Sequence, residues 1–94
     1  MQSNATNTKK PALNEANIKL IGKIKKELKE VSVNDVCAIL GYSRQNLYQH
    51  LGKKNIDTIA KANFLMAIHK AIQTVKSNYS SAAAEKAAEL NTIL

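Results

Sequence analysis

The chain has no tryptophan, one cysteine, one proline and three glycines in 94 residues. A single cysteine, Cys37, cannot close an internal disulfide, which excludes a disulfide-stapled scaffold. So few prolines and glycines leave few breaks, and abundant Ala, Leu, Ile and Lys favour helices over strands. No apolar run approaches the roughly 20 residues that a membrane-spanning helix needs, and no membrane partner is expected. The polar opening stretch carries no apolar signal-peptide segment, so a cytoplasmic location is expected. Acidic residues are also scarce, with 7 Asp plus Glu against 14 Lys plus Arg, a formal net charge of +7. A surplus of that size on a small domain points to polyanionic partners, nucleic acid before anionic membrane. All the basic residues but Arg44 are lysines.

What is present reads as an all-α protein, a small helical bundle of four to five helices. Residues 1–10 are polar and aperiodic and read as a flexible tail. A helix is expected from about Pro11 or Asn14 to about Val31, with Leu13, Ala16, Leu20, Ile24, Leu28 and Val31 on one side and lysines opposite. Ser32 caps a second helix that stops at Gly41, the residue type suited to a left-handed stop. Ser43 caps a third helix carrying Leu47, Tyr48 and Leu51 and ending at Gly52.

A fourth helix is expected from about Ile56 or Thr58 to about Lys76. It carries two apolar sides, one with Ile56, Ile59, Ala60, Asn63 and Ala67, the other with Phe64, Leu65, Ile68, Ile72 and Val75. The serine-rich stretch Ser77–Ser81 reads as a break before a last helix, with Ala83, Ala87, Leu90 and Leu94 spaced by helical turns. The expected organisation is thus a tail over 1–10, a helix-turn-helix domain over 11–79 and a C-terminal helix over 80–94, a dimerisation segment. A short bundle has little material to cover both sides of the fourth helix. A homodimer is therefore expected through Phe64, Leu65, Ile68, Ile72 and Val75, helped by Leu90 and Leu94. Two-fold pairing would set two reading helices about 34 Å apart, one turn of DNA, on a near-palindromic site.

The functional pattern lies at Val33–Leu51. With Gly41 as the turn glycine, Cys37 falls four residues earlier, where two crossing helices need a small side chain. Val36, Leu40, Leu47 and Leu51 fall at inward positions. Leu47 and Leu51 then define the buried side of the third helix, which leaves Gln45 and Gln49 roughly opposite and Asn46 on a flank. Arg44 opens the helix, where base edges are met. Arg can bond guanine bidentately, and Gln or Asn adenine. Ser43 suits a phosphate, and Tyr48, Lys53 and Lys54 suit the DNA backbone. No acidic residue lies between Asp35 and Asp57 to repel phosphates.

The stretch Val36–Leu51 resembles the helix-turn-helix of bacterial and phage regulators. Leu47-Tyr48 and the following Gly52-Lys53-Lys54 are similar to the tetracycline-repressor family, and Gly41-Tyr42-Ser43-Arg44-Gln45 resembles the helix-turn-helix of insertion-sequence transposases. The resemblance covers this motif alone and implies double-stranded DNA binding and transcription regulation, as in a repressor from a phage or other mobile element. The 94 residues hold no counterpart of the large ligand-binding domain or of a transposase catalytic domain, so no small-molecule effector is expected. His50, His69 and Cys37 make no metal pattern, and no Gly-rich phosphate loop or Ser-His-acid set is present. Neither a cofactor nor an enzymatic activity is expected. The competing functions are a protein-binding module on the same scaffold, such as an inhibitor, and a recombination or architectural accessory DNA-binding factor.

Overall fold

The computed structural model describes the backbone of residues 2–94 and the side chains of residues 12–94. Four helices follow one another: α1 (Gln2–Glu27), α2 (Val33–Leu40), α3 (Arg44–His50) and α4 (Ile59–Ile93). There is no strand among the described residues, and the all-α expectation is met with four helices. Helix α1 is assigned from Gln2, upstream of the start expected at Pro11 or Asn14. The side chains of the stretch expected to form a polar tail lie outside the described residues.

Local chemistry sets the short elements. The Ser32 side chain accepts from the Asp35 amide at 3.3 Å to start α2. Gly41 ends it in the left-handed region at φ 73°, its N–H donating to the Cys37 carbonyl at 2.8 Å. Nothing lies within 4 Å of a Cβ built there, so backbone conformation and not crowding demands the glycine. Ser43 repeats the cap for α3, accepting from the Asn46 amide at 3.0 Å. Gly52 follows α3 without a positive φ; Asn55 takes the left-handed position of the connector instead, at φ 56°. Thr58 then caps α4, donating to the Asn55 carbonyl at 2.8 Å and accepting from the Lys61 amide at 3.1 Å.

One cluster forms the core: Ile21, Ile24 and Leu28 from α1, Val36 and Cys37 from α2, Leu47 and Leu51 at α3, and Leu65, Ile68, Ala71, Ile72 and Val75 from α4. Helix α4 is the central member, touching each of the other three. That arrangement corrects the expected dimer surface. Leu65, Ile68, Ile72 and Val75, expected to face a partner, are buried inside the chain. The side thought to be covered from within is the exposed one, with Ile59 and Met66 in solvent. Two apolar sides were legible on α4, but which one lies inside depends on where α1 packs.

Buried polar contacts fix the α1–α4 register. Asn17 is buried in the apolar stripe of α1, and its Nδ2 donates to the Ile56 carbonyl at 2.8 Å and the Thr58 carbonyl at 3.4 Å. At the other end of α1, Glu27 meets His69 Nδ1 at 3.3 Å and Lys76 Nζ at 3.5 Å. Lys76 also reaches Glu30 at 3.0 Å, and this hydrogen bond holds its ammonium above the ordinary pKa.

The expected break at Ser77–Ser81 does not occur, and α4 continues for 35 residues. Serine is a modest helix former, far from the cost of Gly or Pro, and an alanine-rich stretch follows it. A helix already nucleated in the bundle propagates through such a sequence at little cost. Every residue from 77 to 94 is exposed, so this half of α4 stands out from the bundle as an arm.

Candidate nucleic-acid interface

Helix α3 is held against the bundle from one side only. Leu47 and Leu51 are 0% and 2% exposed, and they anchor it to the core. Cys37, 7% exposed, sits in the same cluster, as the need for a small side chain at the helix crossing predicts. The opposite side of α3 is open. Arg44, Gln45 and Gln49 are exposed, as are Ser43 at the cap and Tyr48. Gln45 and Gln49 stand one turn apart and share one face. Asn46 is half-buried, because its flank turns toward the bundle. Lys53 and Lys54 are exposed in the connector that leaves α3.

The C-terminal end of α3 is clamped by an aromatic stack absent from the sequence reading. The His50 ring lies 4.1 Å from the Phe64 ring centroid, stacked at 24°, and 5.2 Å from Tyr42. The stack ties the turn before α3, the end of α3 and the first turns of α4 into one unit. Phe64, expected at a dimer surface, belongs to this clamp. Burial first, and the nearby Lys61 charge second, hold the His50 pKa below its ordinary value.

Beside the clamp lies a shallow cleft of about 220 Å³, lined by Gln49, Lys54, Asn55, Thr58 and Lys61 among others. Lys61 is 5% exposed, and burial lowers the pKa of its ammonium. Sequence reasoning missed Lys61, since a single lysine in an amphipathic helix carries no local signal. The result is a polar face on α3 edged by Arg44, Lys53 and Lys54, able to donate hydrogen bonds to base edges and attract phosphates, with the buried Lys61 in the cleft beside it.

The described residues contain no group of three or more His, Cys, Asp or Glu that could hold a metal ion. No helix of the described residues is long and apolar enough to cross a membrane. Leu90 and Leu94, the remaining residues expected at a dimer surface, are exposed near the tip of the arm. In comparisons with known proteins, no family model, no curated protein and no solved structure matches the chain.

Proposed function

We propose that this chain is a sequence-specific, double-stranded DNA-binding regulator in which α2, the turn at Gly41 and α3 act as a helix-turn-helix. The observation that carries the reading is the two-sidedness of α3: Leu47 and Leu51 are fully inward, while Arg44, Gln45 and Gln49 form an open face. On this reading α3 lies in the major groove. Arg44 bonds guanine, Gln45 and Gln49 bond adenine, and Asn46, half-buried, has a lesser part. Tyr48, Lys53 and Lys54 hold phosphates on either side, with Lys61 adding charge to the adjoining cleft. The chain acts as a homodimer on a site with two-fold symmetry.

The test is selection of bound duplexes from a random pool, followed by measurement of affinity for the enriched sequence across salt concentrations. An enriched motif whose affinity falls steeply from low to physiological salt supports the reading. A pool that stays random, or an affinity flat in salt, overturns it.

A further inference from the structure

The arm of α4 is the largest feature of the molecule with no assigned role. From Ser77 to Ile93 every residue of the helix is exposed, yet it keeps an apolar stripe: Tyr79, Ala83, Ala87, Leu90 and Leu94 recur at steps of four, four, three and four. These positions fall within one narrow sector of an ideal helix. At the base of the arm, where it leaves the bundle, a groove of about 1140 Å³ opens between α2 and α4, lined by the apolar Val31, Ile39, Val75 and Tyr79 and by two charges of each sign, Lys29, Lys76, Glu30 and Asp35, among others. Ile39 is 48% exposed and Tyr79 75%.

We propose that the occupant of this surface is a second copy of the same chain, paired antiparallel along the arm, with the tip of each arm seated in the groove at the base of the other. This pairing does not depend on α3 reading DNA. Charge favours it first. The chain as a whole carries +7, so two copies repel over most of their surface. The arm is the exception: its charges are Glu85, Lys86 and Glu89, and Lys86 is paired with Glu89 at 3.2 Å. Two arms can therefore meet without the repulsion that any lysine-rich face would impose. The same near-neutrality makes the arm a poor surface for DNA or an anionic membrane.

Register favours it second. An antiparallel pair centred near Glu85 sets Ala83 against the other copy's Ala87, and Tyr79 against its Leu90. Its Leu94 then falls at Val75 and Lys76, over the groove. Small residues thus meet at the centre, where two helices approach closely, and large ones meet at the ends. Area favours it third. An arm about 25 Å long and about 10 Å wide gives a helix pair covering on the order of 500 Å² in total. A stable interface needs about 1,200 Å² or more. The two grooves, each receiving Ile93 and Leu94, add apolar contact beyond the arm pair.

Light scattering and sedimentation of the full chain at micromolar concentration test the pairing. The expected mass is twice 10.3 kDa. Leu90→Glu on the tip and, separately, Ile39→Glu in the groove are both at exposed positions, so the bundle should fold in each, as judged by its circular dichroism. Each should drop the mass to 10.3 kDa. A wild-type monomer at all concentrations, or a dimer that survives both substitutions, overturns the proposal. Orientation is read by cross-linking in a Cys37→Ala background. A mixture of Ala83→Cys and Ala87→Cys chains should form the mixed disulfide faster than either forms its own. A disulfide that forms as readily with Ala83→Cys alone indicates parallel arms and overturns the antiparallel pairing.

Discussion

At the scale of single residues, the outward face of α3 and its inward anchors have separable consequences. Arg44→Ala, Gln45→Ala and Gln49→Ala each remove a proposed base contact, and each should cost about 1–3 kcal/mol of discrimination between the best site and a site altered at the contacted base. Lys53→Ala should weaken binding to all duplexes alike and reduce the salt dependence. Competition binding with matched and mutated duplexes separates the two behaviours. If specificity survives all three α3 substitutions, the wrong face has been set on DNA. Inside, Cys37→Ala should leave folding and DNA binding nearly intact, since a small side chain at the crossing is all that the packing requires. Cys37→Leu should overpack the α2–α3 crossing and destabilise by about 1–3 kcal/mol in urea unfolding.

The residues of α2 and α3 were legible because their signals are local: a serine cap, a glycine stop, and leucines one turn apart. Asn17 and His50 were not. Asn17 carries no local signal, because its carbonyl partners Ile56 and Thr58 lie some forty residues on. His50 carries no local signal either, because its stacking partner Phe64 belongs to another helix.

At the scale of elements, the His50 stack makes the join between α3 and α4 sensitive to pH. Burial and the Lys61 charge lower the His50 pKa from its ordinary 6.5, so the unfolded chain takes up that proton before the folded one does. This contribution to stability is therefore complete above about pH 6.5, declines as pH falls below it, and levels off once the folded imidazole also protonates. His50→Phe keeps a ring in the stack and removes the titration. Urea midpoints at neutral and mildly acidic pH should fall for the wild type by more than for His50→Phe; an equal fall in both would show that another group carries the dependence. The long helix α4 teaches a different lesson about legibility. Its apolar sides were visible, but a serine-rich stretch was read as a stop. Serine does cap helices when the chain arrives extended; inside a helix already under way it is only a mild cost.

At the scale of the whole molecule, the proposed pairing of the arms would couple self-association to the proposed recognition of DNA. The bundle is continuous with it, because Leu65, Ile68, Ile72 and Val75 hold the first half of α4 in the core and no break intervenes before Ile93. The position of α3 along α4 is marked by the stack of His50 on Phe64.

If α3 reads DNA and the arms pair as proposed, the unbroken helix α4 acts as a ruler. The interval from Phe64 to the centre of the proposed arm pair near Glu85 is about 21 residues, or about 31 Å, so in that pair the two α3 helices would stand on the order of 60 Å apart. That is close to two turns of B-DNA at about 34 Å each, and it replaces the one-turn spacing expected from a generic dimer. The selected operator should therefore carry half-sites nearly two turns apart, in phase on one face of the duplex. Inserting seven residues into the arm keeps the stripe within about 20° of its original direction. It should set the two α3 helices about 10 Å further apart, or about three base pairs, which turns one half-site roughly 100° out of phase, so affinity for the selected operator should fall and its preferred spacing should change. A preferred spacing unmoved by the insertion would mean that something other than the arm measures the site.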